Sequence, residues 1–493
     1  MNEFLIDQLS ETPSELDQAQ IERWQLRLGQ QQDDRLVTLQ YDRLGFKRRA
    51  GFAGLKSLNL FDYCQRVGKY IGPKARLDDL QFDNLSKQPG NGDVINFTNE
   101  RQRVVVRVTL LSAGIADETD QIDQIAYFDQ HDRLVRSIYY DSRGFKSLEA
   151  TYGQDGGVAL EQFFDTDGAV RLTFGYHREG EQIKIALIRL HARDGQWRVF
   201  QQFHQLVAYF FDTLNQRGHH RFIANSVVQL SALADMHTPA ENFMMLDQMQ
   251  TNDYRRLQSG QPTQAFQQLL AAIPADIPLV AATAQQAADI ADRWPELTVK
   301  AVTPIMPIPE PSAKLQGQRL IMNAAITPVN RLEDGIKAFR RVYRELPTAT
   351  LTIYGTVVDH QLFSQLQTLV NTSGLSEAVT FKTDATKIEE ITRNADLFLL
   401  TSHYEVYPTA MAEIMAAGVP AIAYEINYGV STLIEDGVEG RLVATGDSKQ
   451  LAQTTIDILQ NDALRQKMGV AARSKIERIN QQIAVPEWAE LLK

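Results

Sequence analysis

From about residue 320 onward, short apolar runs alternate with longer segments whose apolar residues recur at helical spacing. A short apolar run between turn residues predicts a buried strand, and an apolar stripe with a period of about 3.6 predicts an amphipathic helix. Strands that alternate with helices need right-handed crossovers and so form a parallel sheet. The pattern predicts strands at 320–325, 349–355, 379–381, 395–400 and 420–424, and helices at 331–346, 360–373, 386–394, 409–417 and 448–459. We therefore predict a doubly wound α/β fold for this half of the chain.

A second pattern, with a period of twelve, occupies the middle of the chain. Gly144, Gly156, Gly168 and Gly180 stand twelve residues apart, and an aromatic pair followed by aspartate recurs at 127–129, 139–141 and 163–165. Glycine adopts positive φ without steric cost, and short Asp/Gly turns join antiparallel strands. The runs between the turns are rich in β-branched and aromatic residues, as strands are. The pattern predicts an antiparallel β-meander over residues 96–203.

Outside these two regions, the apolar runs at 35–41, 221–225, 277–283 and 298–302 predict further strands. The segment 86–92 contains Pro89, Gly90 and Gly92 and predicts a loop. The proline-rich segment 304–311 is incompatible with a regular helix or a central strand. We interpret it as a linker at a domain boundary.

Composition and charge exclude several classes of protein. Of 493 residues, 44% are apolar and 23% are charged, as in globular proteins. The 50 Lys and Arg against 61 Asp and Glu give a formal charge of −11, which argues against a nucleic-acid partner held by bulk charge. Cys64 is the sole cysteine, and the first residues lack the basic and apolar segments of a signal peptide. We expect a cytoplasmic protein, and peripheral association with the inner face of the cell membrane stays open.

The meander contains one segment that resembles the start of a metal site. The segment Asp165-Thr166-Asp167-Gly168 has the spacing of the start of a calcium loop, but the EF-hand pattern requires a closing glutamate at the twelfth position. The twelfth residue counted from Asp165 is Tyr176. A tight turn between strands is therefore the favoured interpretation, and we expect no metal ion.

Two glutamates occupy the positions where ligands bind in a doubly wound sheet. Glu405 follows the strand that ends at Leu400, and Glu413 lies eight residues later on the next helix. Ligands bind outside the carboxyl ends of parallel strands, and carboxylates there accept hydrogen bonds from sugar hydroxyls. The alternative is one charge at a helix start and one solvated surface glutamate. The spacing alone leaves both interpretations open.

Residues 402–443, with Glu405, Glu413, Gly418-Val419-Pro420 and the run 429–440, resemble the donor-binding half of the retaining GT-B glycosyltransferases. The resemblance implies two Rossmann-like domains facing a cleft, with a nucleotide sugar bound without a metal ion. It also implies that Glu405 meets the hexose and that Glu413 meets the nucleotide ribose.

The same resemblance implies an arginine and, five residues later, a lysine that hold the donor diphosphate. The chain has Ala325 and Asn330 at these positions. A diphosphate needs such cations because buried charges must be paired. Arg331 is adjacent and is a cleft candidate, with a surface position at the helix start as the alternative. Tyr407, beside Pro408 in the turn after the first glutamate, is the remaining cleft candidate.

The runs 129–136 and 139–145 resemble the extended sheet domain of a bacterial glycosyltransferase pair, the GtfA/GtfB type, that modifies serine-rich-repeat adhesins. In that pair one subunit is an O-N-acetylglucosaminyltransferase, and a non-catalytic paralogue stabilises it and helps to bind the Ser/Thr-rich acceptor. With both cations missing and the meander kept, the chain resembles the non-catalytic partner. This implies no catalytic residue and no cofactor.

The partners implied are the paralogous catalytic subunit and a Ser/Thr-rich protein acceptor, unmodified or glycosylated. An unpaired sheet edge and exposed aromatic side chains suit the addition or packing of an extended partner. Only about half of the meander aromatics can be available, because side chains alternate between the two faces of a sheet. The candidate contact residues on the meander are Tyr139, Tyr140, Phe163 and Phe164.

Five segments follow from these interpretations. Residues 1–95 and 204–303 form the two parts of an N-terminal Rossmann-like domain, and 96–203 form the inserted meander. Residues 304–480 form a C-terminal Rossmann-like domain, and 481–493 a C-terminal helix.

Two other functions remain. The first is an active retaining glycosyltransferase that uses UDP-N-acetylglucosamine or UDP-glucose and acts on protein, teichoic acid or another polyol; the glutamate pair favours it. The second is an adaptor of the accessory secretion pathway for the same adhesins, which uses a similar decayed GT-B fold.

Overall fold

The computed structural model describes residues 1–9, 17, 20–21, 23–25, 34–46, 56–112, 120–216, 218–311, 317–383, 388–393 and 395–493. The chain divides into two compact units. The first comprises Met1–Met244 with Ala272–Pro274, and the second comprises Met245–Ala271 with Ala275–Lys493.

The first sheet is built from short, buried strands on both sides of the meander in sequence. Its strands are β1 (Asn2–Ile6), β2 (Arg35–Thr38), β3 (Ser57–Asn59), β14 (Arg221–Ala224), β15 (Glu241–Leu246), β16 (Leu279–Ala281) and β17 (Val299–Ala301). Their order is β17-β16-β15-β14-β1-β2-β3. The pairs whose register is described run parallel. All of β1 is buried, as expected for a strand covered on both faces.

The helices that belong to this sheet begin at polar caps. Asn59 accepts hydrogen bonds from the first turn of the short helix that follows β3, and Ser226 and Thr283 do the same for two others. These helices are Leu60–Cys64, Phe203–Leu214, Val227–Ala234, Gln264–Ala272 and Ala284–Arg293.

The meander is a ten-stranded antiparallel sheet whose spatial order is its sequence order, without crossovers, from β4 to β13. Its strands are β4 (Ser86–Pro89), β5 (Val94–Thr98), β6 (Val104–Leu110), β7 (Ile122–Phe128), β8 (Leu134–Tyr140), β9 (Lys146–Tyr152), β10 (Val158–Phe164), β11 (Val170–Glu179), β12 (Gln182–His191) and β13 (Trp197–Phe200). The segment 86–92, predicted as a loop, contains strand β4. That prediction is wrong because Pro89 lies at the end of an edge strand, where a missing N–H is tolerated.

The turns of the meander have the predicted chemistry. The four glycines spaced twelve apart all have positive φ, from 63° to 104°. Asp165 Oδ1 accepts hydrogen bonds from the backbone N–H groups of Asp167 and Ala169, and its Oδ2 accepts one from Arg171. The predicted tight turn at Asp165 is confirmed, and the carboxylate serves the turn itself.

A buried arginine joins the meander to the α/β part of the first unit. Arg143, at the turn after β8, bonds Asp141 in its own turn and Asp62 in the helix Leu60–Cys64, with Nη2 to oxygen distances of 2.7 Å to each. Its side chain is 1% exposed and lies over the rings of Phe46 and Phe145. Because the guanidinium is shared by carboxylates of two different elements, it fixes their relative position.

The second unit contains a six-stranded parallel sheet. Its strands are β18 (Arg319–Asn323), β19 (Thr350–Tyr354), β20 (Val379–Lys382), β21 (Leu397–Leu400), β22 (Ala421–Tyr424) and β23 (Gly440–Val443). The order β20-β19-β18-β21-β22-β23 reverses direction between β18 and β21, as in doubly wound folds. The predicted strands and helices of this region are confirmed, with ends that differ by one or two residues where they are described. The helices are Leu332–Glu345, His360–Thr372, Ile388–Arg393, Thr409–Ala416, Val430–Leu433, Ser448–Leu459, Asp462–Ile479 and Val485–Leu491.

The proline-rich segment has no regular structure, as predicted, and it is held by the C-terminal helices. Asn480 both donates to Met306 O and accepts from Met306 N, at 2.7 and 3.0 Å. Trp488 donates to Thr303 O. In the part of the chain that the structure describes, no helix is both long and apolar enough to cross a membrane.

We expect Arg143→Ala to destabilise the first unit by about 3–5 kcal/mol, because it leaves two carboxylates without their buried cation. Calorimetric unfolding would measure the loss. Arg133→Ala is the matched control, because Arg133 also pairs with an aspartate at a meander turn but is about half exposed. Equal unfolding midpoints for the two variants would contradict the anchoring role of Arg143.

Candidate functional site

The loop that carries Glu405 leaves the carboxyl end of β21 and is tied down by backbone hydrogen bonds. Glu405 N donates to Asn427 O at 3.0 Å, and Tyr428 N donates to Glu405 O at 2.5 Å. On the other side, His403 N donates to Val329 O. The loop therefore has a fixed path, and Glu405 itself is half-buried.

Glu413 lies in the helix Thr409–Ala416, which begins after Pro408. It is half-buried, like Glu405. One glutamate is thus in the loop and the other is inside the helix, as predicted from their spacing. That they contact a hexose and a ribose stays a prediction.

Asn330, at the position where the resemblance implies a lysine, is used inside its own loop. Its Nδ2 donates to Ala325 O at 2.7 Å and to Thr327 Oγ1 at 3.2 Å, and its Oδ1 accepts from Ser402 Oγ at 3.2 Å. Thr401 Oγ1 donates to the Asn330 carbonyl. A neutral amide therefore closes the loop 325–330 on itself and binds it to the residues just before His403.

Arg331 precedes the helix Leu332–Glu345 with a left-handed backbone, at φ 44°. Its Nη2 lies 2.6 Å from Asp334 Oδ2, and Asp334 is nearly fully buried. The same carboxylate accepts a hydrogen bond from the Tyr424 hydroxyl and has Lys337 Nζ at 3.7 Å. The charge of Arg331 is thus already paired with a carboxylate within its own helix turn.

Tyr407 lies in the hydrophobic core of the second unit, with 8% of its surface exposed. Burial, and to a lesser extent the charge of Glu487, raise the pKa of its hydroxyl. The proposed place of Tyr407 among cleft residues is therefore corrected: its ring is a core side chain.

His403 was not selected from the sequence, although it stands two residues before Glu405. Its ring stacks on Tyr254, with 4.4 Å between ring centroids and an interplanar angle of 27°. Burial, followed by the charge of Arg331, lowers the pKa of His403. Its position directly after a strand end was the available signal, but the contact with Tyr254 is long-range and leaves no local pattern.

The meander aromatics divide into two pairs. Phe163 and Phe164 are buried, at 2% and 8% exposure, and the Phe163 ring packs on Tyr41 and Phe61. They are not available to a partner, which corrects the expectation for these two residues. Successive strand residues lie on opposite faces, so the period-two pattern predicted that about half of these aromatics would be available, whereas both are buried at the end of β10.

Tyr139 and Tyr140 are half-buried. Burial and the neighbouring Tyr152 hydroxyl raise the pKa of Tyr139 to about 12, and Arg43 lies over its ring. Tyr140 packs against a core cluster of the meander. Their predicted contact with a partner stays a prediction.

In the part of the chain that is described, no group of three or more His, Cys, Asp or Glu side chains is arranged to hold a metal ion.

Comparison with known proteins places this architecture in one fold. Residues 308–475 match the family described as Glycosyl transferases group 1. The chain has the GT-B glycosyltransferase fold, with parallel sheets in Rossmann-like domains and an antiparallel sheet of ten strands.

Among curated proteins, the chain is 30% identical over 188 residues to the exopolysaccharide phosphotransferase SCO2592 of Streptomyces coelicolor, a match of 37% of this chain and 20% of that protein. It is 23% identical over 159 residues to the GtfA subunit of the UDP-N-acetylglucosamine–peptide N-acetylglucosaminyltransferase of Streptococcus gordonii, covering 32% of this chain and 31% of that protein. The matched part thus spans less than a third of either relative.

Solved structures resemble the chain over its whole length. A TarM variant of S. aureus, in complex with fondaparinux, α-GlcNAc-glycerol and UDP, superposes with a TM-score of 0.82 at 14% identity, covering 100% of this chain and 99% of that one. The pneumococcal O-GlcNAc transferase GtfA, in complex with UDP and GlcNAc, gives 0.77 at 16% identity, covering 100% and 98%.

Two complexes are also similar. A GtfA/B complex gives a TM-score of 0.74 at 16% identity, covering 100% and 98%. The accessory secretory proteins 1, 2 and 3 of Streptococcus pneumoniae give 0.69 at 12% identity, covering 100% and 99%.

We expect Arg331→Gln to raise the pKa of His403, because the variant removes a like charge that opposes protonation. The imidazole resonances of His403 followed by NMR across pH would measure this. In the unmodified protein, the lowered pKa means that the contribution of His403 to stability is present above its ordinary pKa of about 6.5 and is lost as the pH falls through the folded-state pKa. Arg341→Gln, an exposed change on the same helix, is the control. A pKa of His403 unchanged by Arg331→Gln would contradict the electrostatic coupling.

Proposed function

We propose that this chain is a non-catalytic subunit of a bacterial protein O-glycosyltransferase complex. It stabilises a paralogous catalytic subunit and helps to bind a Ser/Thr-rich acceptor. The observation that carries the proposal is the hydrogen-bonded loop 325–330, in which Asn330 and Ala325 occupy the positions of the two phosphate-binding cations implied by the resemblance.

The electrostatics of the loop support this assignment. A diphosphate brings at least two negative charges, and charge-assisted bonds to Arg and Lys are what hold such groups in proteins. Asn330 offers an amide whose donors already bond Ala325 O and Thr327 Oγ1. Arg331, the adjacent cation, is paired with Asp334 at 2.6 Å. To bind a nucleotide-sugar donor, this loop would have to break its own hydrogen bonds. Their loss would offset part of the free energy gained on binding.

The meander supports the proposed binding of a partner protein. Strand β12 pairs with β11 along its length, whereas its pairing with β13 stops at Ile188. The segment 182–187 is therefore the outer edge of the sheet, and it is mostly exposed. Unpaired backbone groups on such an edge accept an additional strand from another chain.

A groove beside this edge supplies apolar contacts. It has a volume of about 900 Å³ and is lined by Ile183, Leu187 and Val228 among others. These three side chains are 43%, 38% and 45% exposed. We propose that an extended segment of the catalytic partner or of the acceptor lies in this groove, which replaces the role first given to Phe163 and Phe164.

The second candidate function is an active retaining glycosyltransferase. Glu405 and Glu413 favour it, since both are kept at the end of β21 and in the following helix. The similarity to the accessory secretory proteins 1, 2 and 3 supports a third alternative, an adaptor of accessory secretion.

We expect the purified chain neither to hydrolyse nor to transfer sugar from UDP-N-acetylglucosamine or UDP-glucose, because Ala325 and Asn330 occupy the two positions where the resemblance implies cations for the diphosphate. We expect it to raise the activity or the soluble yield of a co-expressed paralogue that has both cations. Sugar release and acceptor glycosylation, measured with each subunit alone and together, test both statements.

Turnover by the chain alone that is abolished in the Glu405→Ala variant would overturn the proposal in favour of the active enzyme. Association with secretion proteins without any effect on glycosylation would favour the adaptor. In the co-expression assay, Leu187→Asp should lower the stimulation. Val470→Asp is the matched control, because Val470 is exposed on a helix of the second unit.

A further inference from the structure

Residues 249–257, here called the cover segment, follow strand β15 and pack on the loop that carries Glu405. Met249 and Leu257 form a buried cluster with Tyr428, and these three side chains are 4%, 7% and 1% exposed. Tyr404 and Val406, the two neighbours of Glu405 in sequence, pack against this cluster. The apolar contacts of the loop are thus made with a segment far from it in the chain.

A polar contact lies inside the same cluster. The Tyr428 hydroxyl donates to Asp289 Oδ2 at 2.7 Å and accepts from Gln250 Nε2 at 2.8 Å. Gln250 is fully buried and Asp289 is 5% exposed. Breaking the bond from Tyr428 costs free energy because it removes one hydrogen bond from a buried carboxylate, which also accepts from Gln258 and Gln285.

An aromatic contact also joins the cover segment to the glutamate loop. Tyr254 of the cover segment stacks on His403, with ring centroids 4.4 Å apart. It also lies 6.5 Å from the ring of Tyr404. His403, Tyr404 and Val406 therefore all contact the cover segment or its cluster, on both sides of Glu405.

We infer that the cover segment and Tyr428 form a clasp that holds the glutamate loop in a closed conformation. Tyr404 and Val406, which flank Glu405 and are half-buried, become fully accessible only after the clasp opens. Because Tyr428 N also donates to Glu405 O, release of Tyr428 frees the backbone of the loop at the same step. The inference does not depend on the proposed function, and the role of Glu405 toward sugar is the one that the resemblance to GT-B glycosyltransferases implies. The clasp would oppose sugar binding at the glutamate loop independently of the missing phosphate-binding cations.

The test measures opening directly, with a thiol at position 406. Val406→Cys is introduced into the full chain in which Cys64, which is buried, is replaced by alanine. The rate of labelling with a maleimide is then compared in Tyr428→Phe and Tyr424→Phe backgrounds. Tyr424→Phe is the matched control, because it also removes a buried tyrosine hydroxyl that donates to a carboxylate, here Asp334 at 3.1 Å.

The clasp predicts that Tyr428→Phe raises the labelling rate at least tenfold and that Tyr424→Phe leaves it near the parent value. Equal rates in the two backgrounds, or a rapid rate in the parent, would overturn the inference. If Tyr428→Phe does not fold, as judged by circular dichroism, Tyr254→Ala replaces it. That change removes the stack on His403 from a half-buried position and should also accelerate labelling.

Labelling uses no nucleotide sugar, so its outcome is separate from that of the proposed function. Sugar turnover by the isolated chain would contradict the proposed function. The labelling rates would still test whether the clasp exists.

Discussion

The negative charge of a diphosphate is the constraint on which this account depends. Such a charge is bound out of bulk water where cations or backbone N–H groups are placed to compensate for it. In this chain the relevant loop bonds to itself through Asn330, and the next cation, Arg331, is paired with Asp334. The chain therefore has the GT-B glycosyltransferase fold with a loop 325–330 whose side-chain hydrogen bonds are made within the protein.

The other parts of the structure are consistent with a rigid binding subunit. Arg143 joins the meander to the α/β part of its unit through two carboxylates, so that the exposed edge at 182–187 is presented on a fixed support. In the second unit, Tyr428 and the cover segment hold the glutamate loop. Rigid elements lose little entropy when a partner binds, which is the advantage of preorganised surfaces.

The sequence predicted the fold well where one period dominates. The predicted strands and helices between 319 and 459 follow the alternation of apolar runs and amphipathic segments, and the meander follows from glycines that need positive φ. Strand β23 and the helix Val430–Leu433 were not predicted. Strand β4 was missed because Pro89 and Gly90 signal a loop, although an edge strand tolerates both at its end. Local pattern thus predicts elements better than it predicts their ends.

The site was predicted less completely, for a physical reason. Glu405 and Glu413 were selected from their spacing and their resemblance to a family motif, and Asn330 from its place in that motif; their roles stay predictions. Which meander face is covered, and that Tyr407 is a core residue, depend on packing between elements that no local period encodes. The stack of Tyr254 on His403 and the bond of Tyr428 to Asp289 join residues distant in sequence, so they were visible only in the folded chain.

The most direct measurement is the affinity for UDP by calorimetry, comparing the unmodified chain with the double variant Ala325→Arg, Asn330→Lys. The account predicts no heat of binding for the unmodified chain at millimolar UDP and measurable binding for the variant. Binding of UDP by the unmodified chain with micromolar affinity would contradict it, because side chains other than these would then neutralise the diphosphate.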